Sequence, residues 1–126
     1  QDVRVPRSNL IGAEGMGFAY LMNQLPQERL QIAVGAQAVA QRAYDEAVKF
    51  TKERKAFGRT VFEFQNTRFT LADLNAKLQV GWAHLDWALA RHVAGKLTAD
   101  EASAAKLWHT ELQWEVCDAA LQLHGG

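Results

Sequence analysis

The 126-residue sequence has a single cysteine, two prolines and no surplus of either charge, and each shortage closes off a class of protein. One cysteine, Cys117, cannot form an internal disulfide. A disulfide-framed scaffold is excluded, a reducing compartment is expected, and the thiol is expected to be a small core residue on a helix. Lys plus Arg (14) balances Asp plus Glu (14), so no global positive field recruits nucleic acid or anionic lipid. No apolar run approaches the roughly 18 residues of a membrane span, and Gln1 to Ser8 lacks a signal-peptide core, so a soluble protein with no membrane span is expected. Metal spacing is missing too. His84, His92, His109 and His124 contain no i,i+4 pair, and no glutamate has a histidine three residues later, as di-iron bundles require, so no metal site is expected. Ser8 and Ser103 lack a nucleophile context, which sets hydrolysis aside.

What is present is helix periodicity over most of the chain, in a composition that is 48% hydrophobic and sufficient for one core. Residues 1–17, with Pro6, Gly12, Gly15 and Gly17, form an irregular lead-in whose glycines do not match a dinucleotide fingerprint. Phe18 to Leu25 predicts a helix that Pro26 either kinks or restarts, and helix then runs to about Arg54. Its inward stripe includes Leu30, Ala33, Gln37, Ala40, Ala47 and Phe50. A second helix, from about Glu63 to Lys96, carries Leu71, Leu74, Leu78, Trp82, Leu85, Leu89 and Val93 at intervals of three or four. Gly95 closes it, and Thr98-Ala99-Asp100-Glu101 predicts a capping box opening a third helix. That helix carries Ala105, Trp108, Leu112, Glu115, Val116, Ala119 and Leu123 and ends at His124-Gly125-Gly126. The expected fold class is all-α: an up-and-down antiparallel helical bundle at 18–126 whose wide apolar faces call for a fourth helix or a partner chain.

Two stretches could carry chemistry. Lys52 to Gln65, KERKAFGRTVFEFQ, gathers four cations around Gly58 and Phe57, as a plain basic helix end or as an anion-binding corner. Glu28, in LPQERL, either caps free N–H groups just after Pro26 or, flanked by Leu25 and Leu30, is a partly desolvated carboxylate with a raised pKa, suited to a general base. Glu111 and Glu115 share a face as a solvated pair. Spacing alone leaves the two readings of Glu28 open.

LPQERL, the turn ERKAFGRTVFEFQ and the terminal QLHGG, taken in order, resemble the C-terminal helical domain of the acyl-CoA dehydrogenases. The lead-in VPRSNLIGAEGMGF is similar to the segment that leaves that family's middle β-domain, so 1–17 is expected to be this lead-in. The resemblance covers essentially the whole chain and is nearest the long-chain and isovaleryl branches. It implies an FAD-dependent oxidoreductase that desaturates acyl-CoA thioesters between Cα and Cβ and passes electrons to an electron-transferring flavoprotein. It further implies a homodimer or homotetramer located in the bacterial cytoplasm or the mitochondrial matrix. By the same resemblance Glu28 is the candidate α-proton base, as in the long-chain and isovaleryl branches, the alternative being the glutamate that most members carry beyond the terminal glycines, outside this sequence. Arg54, Ala56, Phe57 and Gln65, with Gln122 and Gly126, contact the FAD of a neighbouring subunit, while Arg29 and Leu25, with Phe18 and Met22, lie on the substrate side.

The family's N-terminal helical and β-domains are not in this sequence, so it is expected to be a fragment that neither turns over acyl-CoA nor binds FAD tightly alone. The competing expectation is a non-catalytic helical oligomerisation or scaffold module. In that case Glu28 is only a cap and the basic turn a solvated corner.

Overall fold

A computed structural model describes residues 2–125, and three long helices account for most of them. α1 runs Gly17–Glu53, α2 Gln65–Val93 and α3 Ala99–Leu123. Residues 2–16 are exposed and irregular except for one 3-10 turn at Arg7–Asn9. Among the described residues no helix is long and apolar enough to cross a membrane.

The packing fixes the directions. Leu30 and Ala33 of α1 meet Leu85 and Ala88 of α2, whereas Ala40 meets Leu74 and Leu78, and Ala47 meets Leu71. Ascending positions on α1 against descending ones on α2 make that pair antiparallel. α3 ascends beside α1, with Arg29 on Ser103, Gln37 on His109 and Phe50 on His124. The expected up-and-down bundle is therefore the observed one. Small residues at the crossings (Ala33, Ala40, Ala47, Ala88, Ala102, Ala105), all buried, let the helices approach closely.

Several details depart from the expectation. α1 is continuous through Pro26. Proline removes only the N–H that would bond the Met22 carbonyl, and Met22 is exposed, so water can replace the lost partner. Helix therefore does not restart at Pro26, and Glu28 lies inside α1 rather than at a free N-terminus, which removes the capping role. On α2, Gly81 and Ala88 line the core, while Trp82, Leu89 and Val93 lie on an exposed shoulder. On α3, Ala102, His109 and Ala120 are buried, and Trp108 and Glu115 face outward. Cys117 is half-buried rather than a core residue.

The helix ends match the sequence signals. After Val93, the Gly95 N–H bonds to the His92 carbonyl and the Lys96 N–H to the Arg91 carbonyl, a Schellman closure. Thr98 and Glu101 form the predicted reciprocal capping box. The Arg91 guanidinium holds the same Glu101 carboxylate at 2.9 Å and the Lys96 carbonyl at 2.8 Å, so the α2–α3 corner is clamped.

Candidate functional site

The α1–α2 connection is more structured than a plain turn. α1 stops at Arg54, whose extended backbone donates to the Phe50 carbonyl and accepts from the Val61 N–H, both at 2.8 Å. β1 (Lys55–Ala56) and β2 (Arg59–Thr60) then pair antiparallel, with Ala56 opposite Arg59, so Phe57 and Gly58 alone form the hairpin tip. Both have positive φ, 52° and 80°, the signature of a type I′ turn. Glycine suits that conformation. Phenylalanine does not, yet Phe57 is 97% exposed, so its ring is not held there by burial in this chain.

The hairpin is stiffened from behind. A 3-10 turn at Val61–Glu63 carries a second capping box, in which the Glu63 carboxylate accepts from the Thr60 N–H at 2.6 Å and hydroxyl at 2.8 Å. These bonds, with Arg59 and Lys55 nearby, hold the Glu63 carboxyl below the usual carboxylate range. Arg59 covers the Phe64 ring at 4.1 Å and Lys52 faces the Phe62 ring at 5.3 Å, so neither is merely a solvated charge. Phe57 meets Phe64 edge-on at 6.4 Å.

The C-terminal end of α3 arrives at the same place. The His124 ring stacks on Phe50 at 4.2 Å, and Leu123 joins the cluster formed by Ala47, Leu71 and Phe62. Arg54, Ala56, Phe57, Gln65 and Gln122 are thus gathered at one end of the bundle. Gly126 lies outside the described residues. The side chains of Arg54, Gln65 and Gln122 are exposed and make no hydrogen bond or ion pair among the described residues. Of these three, Gln65 lines an open hollow of about 690 Å³, together with Arg68, Phe62, Phe69 and Tyr44 among others. Burial, together with the Asp45 carboxylate, raises the Tyr44 phenol pKa. Unspent guanidinium and amide donors beside aromatic rings fit a dinucleotide with phosphate and planar ring systems.

Glu28 stands elsewhere. Both Glu28 and Arg54 lie along the line of α1, which separates them by about 39 Å at 1.5 Å per residue. Glu28 is exposed, so the burial expected to perturb it is not supplied by this chain. Arg29 is half-buried and donates from Nη1 to the Ser103 hydroxyl at 3.0 Å. Leu25 is half-buried, with exposed Met22 and Phe18 one and two turns before it on the same side of α1.

The sequence model described as "Acyl-CoA dehydrogenase, C-terminal domain" matches residues 15–126. The chain belongs to the acyl-CoA dehydrogenase family. It is 44% identical over its whole length to the mitochondrial long-chain specific acyl-CoA dehydrogenase of Sus scrofa, of which it covers 29%. It is 39% identical, again over its whole length, to a subunit of the caffeyl-CoA reductase–Etf complex of Acetobacterium woodii, covering 33% of it. An acyl-CoA dehydrogenase crystal structure from Geobacillus kaustophilus superposes on all of this chain with a TM-score of 0.95 at 44% identity, over 33% of that protein. The chain therefore spans about a third of the length of the acyl-CoA dehydrogenases it matches.

Against this dehydrogenase domain, three features escaped the apolar-periodicity reading because each rests on polar side chains. They are the Thr60–Glu63 box, the Arg29–Ser103 tie and a buried Gln37–His109–His84 relay. T-x-x-E at 60–63 was the visible signal for the first. For the relay, the sign was a polar residue falling on the 102, 105, 109, 112, 116 core rhythm of α3.

Proposed function

We propose that this chain is the helical part of an FAD-dependent acyl-CoA dehydrogenase acting on the Cα–Cβ bond of a thioester. Residues 1–17 form the lead-in from a preceding domain. Glu28 takes the α-proton from the substrate, and the hydrogen on Cβ departs as hydride. The FAD, when bound, supplies the hydride acceptor. Leu25, Met22 and Phe18 offer an apolar strip to the acyl chain, and Arg29 keeps guanidinium N–H groups for the thioester side. Arg54, Ala56, Phe57, Gln65, Gln122 and Gly126 hold the cofactor of a neighbouring subunit. Arg54 would pair with pyrophosphate oxygens and Phe57 would lie against a ring.

The observation that carries this reading is the distance along α1. A base and a hydride acceptor must sit within contact of the same substrate. A clamp about 39 Å from its own chain's Glu28 is farther away than an extended dinucleotide reaches, so it serves another subunit's site. A homo-oligomer follows. An electron-transferring flavoprotein is the expected electron partner, in line with the Etf complex named for the Acetobacterium woodii relative. The expected location is the cytoplasm in a bacterium or the mitochondrial matrix in a eukaryote.

The test is Glu28→Gln in the complete gene product, following anaerobic bleaching of the flavin by acyl-CoA. Removing the base should slow bleaching by about 100- to 10,000-fold. Bleaching at the wild-type rate would remove Glu28 from the mechanism. The reductase name of that relative favours a second reading, in which the same residues work in reverse: Cβ accepts hydride and protonated Glu28 delivers its proton to Cα. Comparing flavin bleaching by acyl-CoA with reoxidation of reduced flavin by 2-enoyl-CoA separates the two directions.

A further inference from the structure

We propose that Ser103, on α3, is a positioning residue for Glu28, acting through Arg29. The proposal rests on the assignment of Glu28 as base. The first fully buried residue of α1 is Leu30; before it Leu25, Pro26, Gln27 and Arg29 are half-buried and Glu28 is exposed, so the Glu28 turn lies at the edge of the packed bundle. Pro26, two residues before Glu28, leaves the Met22 carbonyl without its helical donor, so the helix lacks one backbone hydrogen bond just N-terminal to the base. On the other flank, Arg29 Nη1 donates to Ser103 Oγ at 3.0 Å, and Ser103 Oγ donates to the Ala99 carbonyl at 2.6 Å.

The polarity of this tie is fixed by chemistry. A carbonyl only accepts and a guanidinium only donates, so the single hydroxyl proton goes to Ala99 and the oxygen lone pair faces Arg29. The half-buried guanidinium makes no ion pair among the described residues, so Ser103 is its partner in the bundle. The next interhelical hydrogen bond along α1 is at Gln37, about 12 Å further in. The orientation of the Glu28 turn is therefore set between a proline defect on one side and the Ser103 tie on the other. A general base must be held to about 0.5 Å and 10–20° to work, a tolerance that a loosened helix end exceeds.

In the complete flavoenzyme, Ser103→Ala should slow flavin bleaching by about 10- to 100-fold while leaving substrate KM within about twofold, the signature of a misplaced base. Ser103→Thr, which keeps the hydroxyl, should restore the rate. Arg29→Gln cuts the same tie from the other side and also removes the guanidinium offered to the thioester, so it should lose at least as much rate as Ser103→Ala and raise KM, and adding Ser103→Ala to it should cause no further rate loss. In a Glu28→Gln background Ser103→Ala should add no further loss, because no base remains to be aimed. A merely structural role would instead lower the melting temperature with bleaching per folded enzyme unchanged, and that result overturns the proposal. If Glu28→Gln abolishes bleaching while Ser103→Ala is within twofold of wild type, the positioning role alone fails. If Glu28→Gln bleaches normally, the base assignment fails and the positioning role falls with it.

Discussion

At the residue scale, the most constrained group in the bundle is His109, which is fully buried between three helices. Gln37 Nε2 donates to the Leu78 carbonyl at 3.0 Å, which turns its Oε1 toward His109 Nδ1 at 2.9 Å. An amide oxygen only accepts, so Nδ1 carries the proton. Nε2 is then the acceptor for His84 Nδ1, 3.1 Å away. Desolvation, with His84 adding to it, pushes the His109 pKa down to about 4 from 6.5. The unfolded chain therefore binds a proton here that the folded chain refuses between those two values. Stability should be full above pH 6.5, fall as pH drops toward 4, and level off below it. The loss from this group at pH 5 should be about 2 kcal/mol, read from urea midpoints across that range, and in His109→Leu the slope between pH 5 and 6.5 should vanish, leaving only the carboxylates such as Glu63 to act nearer pH 4. Gly81 makes room for Gln37: a Cβ there would collide with the buried amide. Gly81→Ala should cost about 1–3 kcal/mol by dislodging a doubly bonded side chain, and thermal unfolding checks it.

At the element scale, the hairpin after α1 holds a residue that its own geometry disfavours. A type I′ tip wants Asn or Gly where Phe57 stands, and Phe57 has only an edge contact with Phe64 in this chain to favour its ring. Strain retained at an exposed aromatic points to a partner that uses the ring. Phe57→Asn should therefore raise the melting temperature slightly, by a stabilisation of about 0.5–1 kcal/mol, while weakening FAD retention in the oligomeric enzyme. A variant that lost stability as well would place the ring's role inside the fold. The hairpin also shows what the sequence could and could not reveal. Helix ends were legible because Gly95 and the Thr98–Glu101 pair act locally. The hairpin was not, since strands of two residues carry no periodicity. The α2 core face was misjudged at Trp82 and Leu89 because hydrophobicity outweighs size when side chains are ranked. In the packed bundle, close approach selected Gly81 and Ala88 instead. The continuity of α1 through Pro26 was undecidable from sequence. It depends on whether the Met22 carbonyl reaches water, and that is set by tertiary exposure.

At the scale of the whole molecule, Glu28 and Arg54, the proposed base and cofactor clamp, sit toward opposite ends of one helix. That separation makes a prediction no single-chain mechanism shares. On the proposed reading, Glu28→Gln removes the base of a subunit's own site, whereas Arg54→Glu puts a carboxylate where pyrophosphate would bind and disables the clamp offered to the neighbour. Each homo-oligomer should be nearly inactive. In a mixed dimer one site combines both defects, but the other pairs an intact Glu28 with an intact clamp and should turn over normally. Random assembly from equal amounts of the two chains, around a two-fold interface, should recover about a quarter of wild-type activity while about half of the sites retain flavin, because Glu28→Gln leaves the clamp intact. Recovery below a few per cent, with mixed dimers demonstrated by differential tagging, would mean that base and clamp serve the same site and that α1 does not bridge two of them. The exposed apolar shoulder of α2 and α3, including Val80, Trp108 and Trp114, gives such an assembly surface to bury.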